Sequence, residues 1–418
     1  MKPEKPEDGL EAGQETRAEA RPEVYAISRG QSGWTLSRRS LFSAAAAVAS
    51  AVPRRGEAAA CATAAYAHKQ TITGFAITSD GRLLASGSGD TTIKLWSLPD
   101  GALLKTLTGH SNFVWCVALS PDGRLLASGS SDNTIKLWSL PDGALLKTLT
   151  GHTNFVCSVT ISPDGRTLAS GGYDGTLRLW SLPDGAPLKT LTSGLGAGLV
   201  AISPDGRLLV SGGYYTLKFW SLPDGALLKT VDAGHNVQSL AASQDWRLLA
   251  SGGVDGTLKL WSLPDGALLK TLAGHTSGVG AVAISPDGRL LASGGVYPEK
   301  IIKLWSLPDG ALLKTLSGHT GGVTSLTISP DGRLLISGSD DQAIKLWSLP
   351  DGKLIPVCLM DPAASLPSAS GARYTKDGVT YTVPCGAPVP AGAACTCNCV
   401  PGTSCGCVGD GGVYYYPN

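Results

Sequence analysis

The chain has 418 residues with 34 basic against 33 acidic side chains, so no global field holds it to nucleic acid or to an anionic membrane. Its 54 glycines and 26 prolines suit an all-β protein full of tight turns. No run approaches the roughly 18 to 20 apolar residues of a membrane-crossing helix, so the expected organisation has no spanning segment.

In chain order, residues 1–33 are rich in Glu, Lys, Arg, Ala, Gly and Pro without apolar periodicity. They read as disordered. Next come Ser37, Arg38, Arg39, Ser40, Leu41 and Phe42, then a weakly hydrophobic Ala-rich run over 43–52, then Arg54, Arg55 and the small residues Ala58, Ala59 and Ala60 before Cys61. This resembles a bacterial twin-arginine export signal. The resemblance implies a periplasmic or extracellular protein, with a disordered basic leader of a cytoplasmic protein as the alternative. Cleavage after Ala60 would leave Cys61 first and open to lipid attachment, although Ala58 stands where a lipoprotein signal usually has Leu. Residues 1–60 are therefore set apart as leader and signal.

From residue 67 the chain repeats itself. A short β-type run ends in Trp and is followed by Ser-Leu-Pro-Asp-Gly at Trp96, Trp138, Trp180, Trp220, Trp261, Trp305 and Trp347, with spacings of 42, 42, 40, 41, 44 and 42 residues. Each copy reads as four strands, in the first copy over 71–78, 82–88, 92–98 and 102–107. Ser-Pro-Asp-Gly from Ser120, Ser162, Ser203, Ser285 and Ser329 forms one recurring turn, and Leu-Pro-Asp-Gly the other. A fixed period of about 40 to 45 residues, with Gly-His before one strand and Trp near the end of another, marks a propeller array. The chain resembles the WD-repeat β-propeller family. The resemblance implies an all-β ring of seven four-stranded antiparallel blades over 67–359, each blade burying its faces against two neighbours. After Trp347 the run Lys353, Leu354, Ile355 offers a local outer strand to the last blade, in preference to the Ala-rich stretch 58–66.

His, Ser and Asp recur in the same order before Trp, at constant offsets in most copies. The sets are His68, Ser86, Asp90, Trp96; His110, Ser128, Asp132, Trp138; His152, Ser170, Asp174, Trp180; His235, Ser251, Asp255, Trp261; and His319, Ser337, Asp341, Trp347. His275 belongs to a sixth set that has Glu299 in place of Asp. Such residues invite a hydrolase reading, but five near-identical catalytic sites in one chain do not. The family resemblance implies instead a buried hydrogen-bond chain from Asp through His and the hydroxyl to the Trp indole. The fourth copy has no His before its first strand and no Asp before Trp220, and should be the least rigid blade.

The copies differ mainly in the loop after Gly-His and in the turn before the third strand, where Phe113, Trp115, Phe155, Tyr173, Tyr214, Tyr215 and Tyr297 appear. In a propeller these two connections share a rim, the face that the family resemblance links to partners. Aromatic residues among small ones have the composition of a protein-recognition surface. The plainer alternative is drift in lax loops, with Trp115 in the core of its strand. The expectation is a monomeric, non-enzymatic protein-binding scaffold with no cofactor on the propeller and no nucleic-acid partner.

The tail over 360–418 has another composition. A Lys376, Asp377, Gly378 turn between Tyr- and Thr-rich runs suits a hairpin. Beyond it Cys385, Cys395, Cys397, Cys399, Cys405 and Cys407 stand among Gly, Pro and Ala. Three disulfides, or a thiolate site for zinc or copper(I), would hold such a segment. An exported metal or redox protein is thus the alternative function. Cys116 and Cys157 read as buried small apolar residues.

Overall fold

The computed structural model describes residues 67–355 apart from Leu195 and Ala197, and the backbone of seven further strands: Ala26–Gly30, Gly33–Ser37, Ala372–Lys376, Val379–Val383, Ala394–Cys397, Gly406–Gly409 and Gly412–Tyr415. Two compact units divide the chain, residues 1–60 and 61–418. Within the first, Ala26–Gly30 pairs antiparallel with Gly33–Ser37, a hairpin where the composition had promised no strand.

Residues 67–355 form seven four-stranded antiparallel sheets, each built from strands consecutive in sequence. The first consists of Ile72–Ile77, Leu83–Ser88, Ile93–Ser97 and Leu103–Leu107. Its second and third strands are apolar almost throughout and are buried, whereas Leu-Leu-Lys-Thr on the fourth strand is largely exposed at the outer edge. A bulge shifts the first strand's register between Ile72 and Gly74, and the same shift recurs in the second, third, fifth, sixth and seventh blades.

The core is not inside any blade. It is divided into clusters that each span two neighbours. Ile93, Leu95 and Leu107 of blade 1 pack on Val114, Leu126 and Trp138 of blade 2, and the pattern repeats until Ile336, Ile344 and Leu346 of blade 7 meet Ile72, Leu84 and Trp96 of blade 1. That last cluster closes the ring. Ala67 N–H donates to the Gln342 carbonyl at 3.0 Å, and the Thr324 hydroxyl donates to the Ile72 carbonyl. The outer strand of blade 7 is Lys353–Ile355, paired in register with Leu346–Ser348, so the local strand completes that blade.

The Leu-Pro-Asp-Gly turns fasten one blade to the one before it. All seven Leu-Pro bonds in these turns are cis, a conformation not foreseen from the motif. Gly143 has φ +63°, and a Cβ there would come within 2.4 Å of Leu107 on blade 1, so only glycine permits this approach. Over it, the Lys105 ammonium donates to the Asp142 carbonyl. Equivalent lysines make the same link from Lys147, Lys189, Lys229, Lys270 and Lys314. At the seventh junction the sequence has Pro356 in the lysine's place.

In the tail, Ala372–Lys376 pairs with Val379–Val383 around the expected turn, and Ala394–Cys397 adds a third strand against Ala372–Thr375. Gly406–Gly409 pairs with Gly412–Tyr415.

Candidate functional site

In blade 1 the His68 ring bridges Asp90 and Ser86: Nδ1 lies 2.9 Å from Asp90 Oδ2 and Nε2 lies 2.7 Å from Ser86 Oγ. The Trp96 indole donates to the same Ser86 oxygen at 2.8 Å. A carboxylate only accepts, so Nδ1 carries the proton; Nε2 then accepts from the Ser86 hydroxyl. The direction Trp to Ser to His to Asp is thereby fixed. Asp90 also accepts from Lys69 N–H, from Thr92 N–H and from the Thr92 hydroxyl. The chain recurs through His110, Ser128, Asp132 and Trp138, through His152, Ser170, Asp174 and Trp180, and through His319, Ser337, Asp341 and Trp347.

Its connectivity is that of a hydrolytic triad, but its setting is not. Ser86, Ser128, Ser170, Ser251 and Ser337 are wholly buried beneath an indole that occupies the oxygen, so no substrate carbonyl reaches them. The chain ties loop to sheet.

Three blades depart from it. In blade 6 Glu299 takes the Asp role, 2.7 Å from His275 Nδ1, and the longer side chain spans the longer turn. In blade 4 the expected loss of the whole chain is incomplete. Ser193 stands where the histidine would, its hydroxyl 3.3 Å from that of Ser211, and Trp220 still donates to Ser211 at 3.0 Å. Ser193 precedes Ser211 by 18 residues, as histidine precedes serine in blades 1, 2 and 3.

Blade 5 corrects the reading of a complete fourth set. His235 Nδ1 meets the Thr257 hydroxyl at 3.0 Å, and Asp255 stands off at 3.5 Å with its side chain 46% exposed. Only Asn236 separates His235 from the strand Val237–Ala242, whereas Ser111, Asn112 and Phe113 follow His110 before Val114. Asn236, which follows His235, does not donate its N–H to Asp255, whereas Lys69, Ser111 and Thr153 donate theirs to Asp90, Asp132 and Asp174 and draw those carboxylates inward. Asp90→Ala is therefore expected to cost about 3 kcal/mol, since it strands several buried donors. Asp255→Ala should cost under about 1 kcal/mol. Urea midpoints of the two variants check the difference, and equal losses would refute it.

Burial lowers the pKa of His152, His235 and His275 against the pull of their acidic partners. Burial raises that of Asp90, Asp132 and Asp341, but hydrogen bonds from histidine and neighbouring groups outweigh it and hold all three low, Asp341 at about 2. Both shifts act in one direction. Below the ordinary histidine value of 6.5 the unfolded chain takes up protons that the folded one refuses; below the ordinary Asp value of 3.8 the same holds for the carboxylates. Melting temperature should therefore fall as pH drops from 7 to 5, and fall again below 4. Each fully discriminating group contributes at most about 1.4 kcal/mol per pH unit. A flat profile between pH 7 and 5 would contradict the buried neutral histidines.

The aromatic residues form a different surface. Ser131 N–H donates to the Phe113 carbonyl and Tyr173 N–H to the Phe155 carbonyl, both at 2.8 Å, so the loop before the first strand and the turn before the third do share a rim. All the named aromatics are exposed there. Trp115, at 38%, is no core residue; its indole donates to Ser131 on the turn of its own blade. The Phe113 and Trp115 ring centroids are 6.3 Å apart, as are those of Phe155 and Tyr173, and the Tyr173 and Tyr214 hydroxyls meet at 3.3 Å across blades 3 and 4. Tyr215 continues this arc. Tyr297 stands apart on blade 6, with the Lys300 ammonium 5.4 Å from its ring.

The WD domain, G-beta repeat family profile matches residues 60–97, 101–139, 143–181, 187–221, 225–262, 266–306 and 310–348. The chain belongs to the WD-repeat family. Among curated proteins it is similar to transducin beta-like protein 3 from Bos taurus, 44% identical over 52 residues, and from Homo sapiens, 46% identical over 50; each match covers 12% of this chain and 6% of the relative. From the second onward the matched segments are staggered against the blades: the segment 101–139 begins just before the outer strand of blade 1 and ends just past Trp138 of blade 2. One repeat thus contributes to both sides of an inter-blade cluster.

Outside the propeller, Cys395, Cys397 and Cys407 fall on tail strands, whereas Cys385, Cys399 and Cys405 lie outside the described residues, as do Arg38, Arg39 and Cys61. Cys116 and Cys157 are free thiols, partly buried. Among the described residues no helix is long and apolar enough to cross a membrane, and no group of three His, Cys, Asp or Glu converges as metal ligands would.

Proposed function

We propose that this WD-repeat protein is a non-enzymatic binding scaffold whose partner is a protein or peptide held on the aromatic rim of blades 2 to 4. One observation carries the reading: exposed rings lie on three consecutive blades, while the position of Phe113 and Phe155 is Thr71, Gly278 and Gly322 on blades 1, 6 and 7. The mechanism is rigid display. Strands on either side fix the loops, so little ordering cost falls on the binding step. The polar chains of Trp, Ser, His and Asp support the rim from beneath.

The triple variant Phe113→Ser, Phe155→Ser, Tyr215→Ser removes exposed rings only and should leave the melting temperature within a few degrees of the parent's. It should abolish capture of the partner, because truncating a central aromatic anchor typically costs about 2 kcal/mol or more, roughly 30-fold in affinity. Affinity capture with parent and variant side by side reads the outcome. An unchanged set of bound proteins would return the aromatics to the status of loop drift.

A further inference from the structure

The arc on blades 2 to 4 is unbalanced in its hydrogen-bonding groups. Most of the acceptors around its rings are already engaged. Both oxygens of Asp132 are taken, Oδ2 by His110 and Ser111 N–H, Oδ1 by Thr134 N–H and hydroxyl. Asp174 is saturated in the same way by His152, Thr153 and Thr176. Asn112 and Asn154 give their side-chain oxygens to the backbone N–H of Phe113 and Phe155, at 2.8 Å each. The Asn112 and Phe113 carbonyls accept from Ser130 and Ser131.

Its donors are not spent. The amide nitrogens of Asn112 and Asn154 remain, as does the Tyr215 hydroxyl. Of the Tyr173 and Tyr214 hydroxyls, one donates to the other, and the second keeps its proton for a ligand. Beside these donors stand the exposed rings of Phe113, Trp115 and Phe155; the one carboxylate near the arc with an oxygen to spare is Asp232, whose neighbour Ala233 donates its N–H to the Tyr215 carbonyl.

Resting on the rim reading above, we propose that the arc takes a proline-rich segment of a partner in the extended polyproline conformation. Such a segment offers what the arc lacks and needs what the arc has: backbone carbonyls free to accept, few N–H groups seeking an acceptor, and rigid pyrrolidine rings that lie on aromatic faces. A sugar chain brings a donor on every hydroxyl as well as acceptors, and many of those donors would stay unpaired on the arc. A methylated ammonium would find rings but, on blades 2 and 3, only the saturated carboxylates of Asp132 and Asp174.

The test titrates the purified full-length protein, followed by tryptophan fluorescence, with four probes: a proline decamer, a glycine–serine decamer, a trimethyllysine peptide and maltohexaose. The expected result is a saturable change with the proline decamer alone. Tyr173→Phe combined with Tyr214→Phe keeps the rings and removes two hydroxyls, and should weaken proline binding about tenfold at an unchanged melting temperature; Phe155→Ser should weaken it as much. Preferential binding of the sugar or the trimethyllysine peptide, or proline binding indifferent to Tyr173 and Tyr214, overturns the proposal while the rim reading stands. If no probe binds and the triple rim variant still captures the same proteins, both fall together.

Discussion

Replacing Trp138 by Ala should lower the unfolding free energy by about 4 to 5 kcal/mol, the upper end of what a buried tryptophan is worth. Two losses combine. The ring is 2% exposed and fills the junction between blades 1 and 2, against Ile93, Leu95 and Leu107 on one side and Val114 and Leu126 on the other. Its N–H is also the first donor of the buried polar chain, 2.9 Å from Ser128 Oγ. Trp138→Phe separates the two, because the smaller ring keeps most of the apolar contact and loses the donor; about 2 kcal/mol is expected. Trp220→Ala should cost about 1 kcal/mol less than Trp138→Ala, since Ser211 behind it leads only to Ser193 and not to a histidine and carboxylate. Urea unfolding followed by circular dichroism orders the three variants. A Phe variant as damaged as the Ala variant would mean that the indole N–H, not packing, dominates.

The ring was legible in the sequence because one period governs everything: Trp and Gly-His repeat with the blades, and the strand bounds read from them fall within one or two residues of those observed. What escaped was whatever depends on backbone path. His235 keeps the residue types of its set, yet a loop two residues shorter than that after His110 diverts its ring to Thr257. Conversely Ser193 keeps the 18-residue spacing to Ser211 that histidine has to serine in the other blades, but its residue type does not mark it as a member of the set. The linking lysines were written in every Leu-Lys-Thr of the outer strands, but their acceptor is a carbonyl of the next blade, and no side-chain pattern announces a carbonyl. The rim aromatics were visible as the places where the copies disagree; that they touch across blades 3 and 4, and that Asn112 and Asn154 turn their side-chain oxygens onto neighbouring backbone N–H groups, follows only from the folded chain.

Deleting residues 97–138, one period of 42, should abolish cooperative folding at ambient temperature even though it damages no local sequence. The cut joins Trp96 to Ser139, so the junction still reads Leu-Trp-Ser-Leu-Pro-Asp-Gly, and blade 1 exchanges its outer strand Leu103–Leu107 for the near-identical Leu145–Leu149 while the other blades are untouched. Only the circle changes. Six blades must divide the turn that seven divided, opening each junction angle from about 51° to about 60° at interfaces packed as densely as a crystal. At such a junction Gly143 already admits no Cβ beside Leu107, and Lys105 reaches a single carbonyl. If the circle does not close, the cluster of Ile72, Leu84 and Trp96 with Ile336, Ile344 and Leu346 is exposed. At about 1.5 to 3 kcal/mol per large buried side chain, that loss is on the order of 10 kcal/mol, comparable to the whole stability of a typical domain. A linear stack of the same units would behave otherwise, losing one unit and one interface while its ends, already open, stayed as they were. Calorimetry of the shortened chain separates the cases: a single sharp transition near the parent's temperature belongs to the stack, and a broad or absent one to the ring.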